Sequence, residues 1–352
     1  EERRAAGDEA LQLAHSLAAM LMNQGKLGEA RPMFERTLKA QERTLGAEDE
    51  ITLKTMGGLA NVLRQQGDLV AAWEMYERTL KAQESTLGTE HENTLMTMMN
   101  LANVLQQQGD YAAARELFER TLKAQQSTLG AEHENTLDTM GNLTTVLQQQ
   151  GDYAAAREMN ECTLKGQERT LGAEHPDTLG TMGNLAGVLL EQGNLAAARE
   201  MFERALKGQE RALGAEHPNT LLTMGNLALV LQQQGDYAAA RAMFERTLKA
   251  QERALGAEHE NTLMTMMNLA NVLQQQGDYA AARAMFERTL KAQESTLGAA
   301  HPHTLDTMGN LANLIADQGD LAAAREMNEL TLKAQESALG AEHPDTLGTM
   351  GN

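Results

Sequence analysis

The dipeptide Leu-Gly returns every 42 residues, at Leu45-Gly46, Leu87-Gly88, Leu129-Gly130, Leu171-Gly172, Leu213-Gly214, Leu255-Gly256, Leu297-Gly298 and Leu339-Gly340. A second marker keeps the same beat from Gln24-Gly25 to Gln318-Gly319, with no insertion or deletion between. The ten residues from His91 to Asn100 recur without change at His259 to Asn268. A fixed period of this length predicts a solenoid, in which each unit buries its apolar face only against its neighbours. Such a chain builds a long surface, and long surfaces bind other molecules.

The unbroken period overrides the two or three domains that 352 residues would otherwise suggest. Aromatic residues make up only 3%, and the apolar content comes from Leu, Ala, Met and Val, which suit closely packed helices. The formal charge is −19. It argues against nucleic acid, whose phosphates need a Lys/Arg footprint, and against an anionic membrane surface. The single cysteine, Cys162, rules out a disulfide framework inside the chain and fits a reducing, cytoplasmic setting. No apolar run approaches a membrane span.

Within one unit, Leu179, Met182, Leu185, Ala186, Val188 and Leu189 follow steps of 3 and 4, the spacing of one helix face. Pro176 stands where a first-turn proline is tolerated, and Gln192-Gly193 ends this helix. Asn194, replaced by Asp in most units, is a natural N-cap for a second helix carrying Leu195, Ala198, Met201, Phe202, Ala205, Leu206 and Leu213. Each unit is therefore expected to be helix A, a tight turn, helix B and a loop of the form Gly-Ala-Glu-His.

The spacing of Leu185, Ala186, Leu189, Gly193, Ala198, Phe202 and Ala205 resembles the tetratricopeptide repeat, whose standard period is 34 residues. The longer unit, with its Leu-Gly-x-Glu-His-Pro-x-Thr-Leu stretch, is similar to the repeats of kinesin light chains and nephrocystin-3-like proteins. The resemblance implies an all-α, right-handed solenoid over residues 1–352, with an atypical first repeat (1–46) and a truncated ninth (341–352). Departures stand out against it. Met56, Met98, Met140, Met182, Met224, Met266 and Met308 replace the usual helix-A aromatic, and Asn160 and Asn328 twice replace the helix-B aromatic.

In that family helix A lines a concave groove, so the resemblance also implies a set of partner-binding residues. Asn100, Asn142, Asn184, Asn226, Asn268 and Asn310 hold the position that commonly contacts a bound peptide backbone; an amide offers both donor and acceptor. Alternatively, these amides only brace adjacent helices or meet water. Asn103, Asn271 and Asn313 follow three positions later, and Gln106, Gln148, Gln232 and Gln274 form a third row. Met96 with Met99, and Met264 with Met267, are either soft apolar patches suited to varied partners or packing residues. Gly57, Gly141, Gly183, Gly225 and Gly309 suggest that a ligand or a neighbouring helix approaches the backbone closely.

His91, His133, His175, His217, His259, His301 and His343 sit a full repeat apart, too far to share a metal, and fit bracing of the helix start instead. No nucleophile, phosphate loop or dinucleotide fingerprint accompanies them. The expectation is a non-enzymatic scaffold without cofactor or metal, binding a protein or peptide, with no nucleic acid and no membrane insertion. The alternative is a structural subunit that stacks end to end or clamps a large assembly. The chain starts without Met and stops at Asn352 inside a motif, which reads as a piece of a longer protein. A helix stub over Thr346 to Asn352, packed through Leu347 and Met350, would then expose an apolar end prone to self-association.

Overall fold

A computed structural model describes residues 2–339, with side chains from Glu9 to Glu336. His343 and the proposed stub around Leu347 and Met350 lie outside the described residues, as does the ninth repeat. Two compact units divide the chain, residues 1–170 and 171–352. The first holds α1 (Glu2–Asn23), α2 (Leu27–Thr44), α3 (Glu50–Gln65), α4 (Leu69–Thr86), α5 (Glu92–Gln107), α6 (Tyr111–Thr128), α7 (Glu134–Gln149) and α8 (Tyr153–Thr170). The second holds α9 (Pro176–Glu191), α10 (Leu195–Ala212), α11 (Pro218–Gln233), α12 (Tyr237–Ala254), α13 (Glu260–Gln275), α14 (Tyr279–Thr296), α15 (Pro302–Asp317) and α16 (Leu321–Leu339). The described residues thus form helical hairpins only, stacked in tandem as an α-solenoid within each unit.

The helix ends follow from local chemistry. At the tight turn, Gly193 takes φ 74°, a conformation that an L side chain resists, and lets α9 stop. The next residue caps the second helix: Asn194 Oδ1 accepts from Ala197 N, as Asp110 accepts from Ala113 and Asp236 from Ala239. From α3 to α15, the first helix of each pair starts on a side-chain acceptor too. Asp49 Oδ1 accepts from Ile51 N at 2.9 Å, and in later repeats histidine Nδ1 takes over, as in His217 accepting from Asn219 N at 3.2 Å. The described loop histidines are therefore N-caps. The second helix ends one residue earlier than its apolar pattern suggests: α10 stops at Ala212 and Leu213 is its C-cap.

The core is built by repetition. Ala186 and Ala198 have no exposed surface, so α9 and α10 approach closely. Phe34, Phe118, Phe202, Phe244 and Phe286 are each at most 1% exposed; burying one such ring stabilises by about 1.5–3 kcal/mol. The methionines at the former aromatic position, such as Met98 and Met182, are equally buried. Asn160 stands at the phenylalanine position of α8 and is 1% exposed, with its Nδ2 lacking a partner.

Every substantial contact within a unit joins helices adjacent in sequence or one removed. The one-removed pairs are α1 with α3, α5 with α7, α9 with α11, α11 with α13 and α13 with α15. No second-helix pair comes as near, so the first helices lie on the inner side of each unit's bend. On the outer side, arginines tie four of the second helices to the one before: Arg78 to Glu42 at 2.6 Å, Arg120 to Glu84 at 3.3 Å, Arg288 to Glu252 at 2.6 Å, and Arg246 to Glu210. Gln126 and Cys162 occupy the corresponding places between α6 and α8, so no ion pair forms at that step.

Candidate functional site

The inner face carries the asparagine row. Asn100, Asn142, Asn226, Asn268 and Asn310 are partly exposed and Asn184 is exposed. Three positions on, Asn103 and Asn271 are partly exposed and Asn313 exposed. Among the described residues, none of these nine side chains makes a hydrogen bond within the chain. Bracing between helices is therefore not their role here. Their donors and acceptors remain available at the surface.

The methionine pairs divide. Met96 and Met264 are 54% and 45% exposed. Met99 and Met267 are half-buried and lean on the next first helix. The Thr139 hydroxyl lies 3.0 Å from Met99 Sδ and also donates to the Asn135 carbonyl; Thr307 sits 3.7 Å from Met267 Sδ and donates to the His303 carbonyl. One methionine of each pair is thus surface and the other packing.

The glutamine row divides as well. Gln232 Nε2 donates to Gln275 Oε1 at 3.0 Å and Gln274 Nε2 to Asp317 Oδ2 at 2.7 Å, which links neighbouring first helices. Gln106 and Gln148 make no such bond and are partly exposed.

The recurrent glycines have another reason than close helix packing. A Cβ at Gly57, Gly141, Gly225 or Gly309 would meet nothing within 4 Å, and at Gly183 only the Thr223 hydroxyl at 3.8 Å. Of the two explanations offered for them, the neighbouring helix is excluded. Close approach occurs elsewhere, where a Cβ on Gly58 would meet the Phe34 ring at 2.7 Å and one on Gly208 would meet Leu179 at 2.3 Å.

Each unit has a cavity that opens on its inner face. In the second unit, α11, α12 and α13 enclose about 360 Å³ lined by Leu222, Asn226, Leu229, Gln251, Met264 and Asn268, among others. Three of the expected residues, Asn226, Asn268 and Met264, meet there. In the first unit, about 140 Å³ lies between α5, α6 and α7. Glu90, Glu92, Met96, Met99, Gln125 and Asn135 are among its walls.

Both cavities have a glutamine that the sequence reading passed over. Gln125 and Gln251 are 3% and 6% exposed, and Oε1 of each is buried without a partner. They belong to a ladder at the 42-residue period: Gln41, Gln83, Gln125, Gln167, Gln209, Gln251, Gln293 and Gln335, all buried with an unpartnered Oε1. The signal was present, because Phe118, Leu122 and Gln125 share the i, i+4, i+7 face of α6. A polar residue held on a buried phase in every unit is anomalous for packing alone.

Among the described residues, no group of three or more His, Cys, Asp or Glu is placed to hold a metal ion, and no helix is long and apolar enough to cross a membrane.

Stacked hairpins, each first helix facing inward, define a helical-repeat array. The tetratricopeptide repeat model matches residues 9–85, 58–127, 93–169, 145–211, 177–253, 220–295 and 261–337. The chain belongs to the tetratricopeptide repeat family, and its repeats are of the kinesin-light-chain-like type. It is similar to the nearly identical TPR-like repeats of a Podosopora anserina protein assigned as a kinesin light chain: 30% identity, 58% of this chain and 96% of that one, TM-score 0.53. BtubC (BKLC) from P. vanneervenii matches 68% of this chain and 93% of its own at 21% identity, TM-score 0.56. The apo quorum sensor NprR from B. thuringiensis matches 92% and 87% at 14% identity, TM-score 0.65. These last two likenesses show the fold alone. No curated protein matches the chain.

Proposed function

We propose that the chain is a protein-interaction scaffold whose inner face holds an extended segment or helix of a partner protein. One observation carries the reading: Asn226 and Asn268, free of internal hydrogen bonds, border one cavity with Leu222, Leu229 and Met264. Apolar walls supply burial, and the amides supply hydrogen bonds to a backbone whatever its side chains. Membership in the tetratricopeptide family and the likeness to kinesin-light-chain repeats support the same reading. Under it, Asn100, Asn142, Asn184 and Asn310 continue the contact row, with Asn103, Asn271, Asn313, Gln106 and Gln148 beside it.

The test is a partner recovered from the source cell, crosslinked, and mapped onto the chain. Crosslinks should concentrate on the first helices. Asn226→Ala with Asn268→Ala should weaken that partner about tenfold, the loss expected for one or two net hydrogen bonds. The melting temperature should stay unchanged, since neither amide bonds within the fold. Unchanged affinity, or crosslinks confined to the outer helices, removes the asparagine row from the function.

A further inference from the structure

The inner and outer helices differ in the sign of the charge they carry. Helices α5, α7, α9, α11, α13 and α15 contain no Lys or Arg. They do carry Glu92, Glu134, Asp138, Asp177, Glu191, Glu260, Asp306 and Asp317. C-terminal to Arg64, every Lys and Arg of the chain falls on a second helix. Many of those cations are already engaged, as Arg115 is with Glu119 at 2.8 Å and Asp152 at 3.2 Å. The net charge of −19 is therefore not spread evenly: the inner helices of these repeats together carry carboxylates and no Lys or Arg.

The first unit's cavity sharpens the point. Glu90 and Glu92 stand in its walls, Met96 and Met99 provide apolar surface, and Gln125 contributes an acceptor that is buried and unpartnered. An unsatisfied buried acceptor calls for a donor. The first turns of α5 and α7 bring positive partial charge here, about half an elementary charge each. The carboxyl end of α6, at Gln125 to Leu129, brings the opposite sign, and the two glutamates add full negative charges. The balance is negative.

We infer that the partner segment is cationic, and that a Lys or Arg side chain enters the cavity between α5, α6 and α7. Its aliphatic stem lies against Met96 and Met99, its head donates to Gln125 Oε1, and Glu90 and Glu92 balance its charge. A long stem that ends in donors only matches these walls, whereas a carboxylate would leave the Gln125 acceptor unmet and face two like charges. This rests on the groove reading above and names the chemistry of its occupant.

The test uses three fluorescent twelve-residue peptides with the same apolar residues at alternate positions. The intervening positions carry lysine, acetyl-lysine or glutamate. Anisotropy at physiological salt should show the lysine peptide binding at least tenfold tighter than the other two. Gln125→Met should weaken the lysine peptide about tenfold. It should not lower the melting temperature, since Gln125 Oε1 has no partner to lose. Glu90→Gln with Glu92→Gln, both exposed, gives a second reading that does not depend on a core substitution and should weaken binding similarly. Glu203→Gln with Glu245→Gln, which removes equal charge from second helices, should change little.

Equal binding of the lysine and acetyl-lysine peptides, with crosslinks on the first helices, overturns the cationic assignment and leaves the groove reading standing. Lysine-peptide binding that ignores Gln125 and Glu90/Glu92 but falls in the Glu203/Glu245 variant overturns the assignment and places binding away from the groove. Absence of binding by all three peptides also overturns the assignment; the Asn226/Asn268 experiment still decides the groove.

Discussion

Replacing His217 with aspartate and with alanine tests whether the loop histidines act as helix caps. His217 Nδ1 accepts from Asn219 N at 3.2 Å, whereas Asp49 makes the equivalent bond at 2.9 Å. Pro218 occupies N1 and brings no N–H, so the cap serves one of the few donors of this turn that need it. Alanine leaves Asn219 N to water. Because Asn219 is exposed, the loss should fall near the low end of the capping range, about 0.5–1 kcal/mol. Aspartate shortens the bond and sets a negative charge at the positive end of α11, a gain of about 0.3–1 kcal/mol. Glu216 next door opposes that charge but is engaged with Arg253 at 3.6 Å. His133 is flanked by both Glu132 and Glu134, so His133→Asp should gain less. Tandem repeats unfold in parts, and the informative assay is therefore amide hydrogen exchange at the start of α11, alongside a urea melt. Protection should be greatest in the His217→Asp variant, intermediate in the parent chain and least in the His217→Ala variant. If His217→Ala matches the parent, the cap is idle. If His133→Asp gains as much as His217→Asp, the electrostatic part of the reasoning is wrong.

Asn160→Leu should raise stability by about 1–3 kcal/mol, by removing a buried amide whose Nδ2 is unpaired and adding apolar surface; a fall in the urea midpoint would refute this. Burial, and secondarily the charge of Lys54, lowers the pKa of His15 below its ordinary 6.5. The fold therefore favours neutral His15, and its contribution to stability should decline as pH falls below about 6.5, levelling off beneath the lowered folded value. His15→Gln should flatten that part of the acid limb relative to the parent chain, and identical pH profiles for the two proteins would discount it.

The hairpins were legible because their signals are short-range. Gly193 and Asn194 state their own backbone geometry and cap within three residues, and Leu185, Ala186 and Leu189 repeat a face within one helix. The sequence left Met96 and Met264 open between surface patch and packing, and the structure exposes both. What lay beyond reach depended on side chains 40 residues apart, as when Thr139 meets Met99. The recurrent helix-A glycines, such as Gly141 and Gly225, gave the same residue letter whether a helix pressed on them or open space did. Gln125 was missed for a different reason: a glutamine in a charged helix reads as solvent-facing until its phase with Phe118 and Leu122 is weighed.

The outer arginine–glutamate rungs span 36 residues and always run from one hairpin to its predecessor. Among the described residues, contacts within each unit are confined to near neighbours, and a single cysteine allows no disulfide within the chain, so nothing staples distant parts of a unit together. Mechanically, such a molecule behaves as a zipper. Stretched by its ends, it should yield hairpin by hairpin at low force, each step releasing one 42-residue repeat of slack, about 140–150 Å of fully extended chain. Because the hairpins are nearly alike, each can re-dock on whatever neighbour remains folded, which makes the array extensible and quick to recover its length.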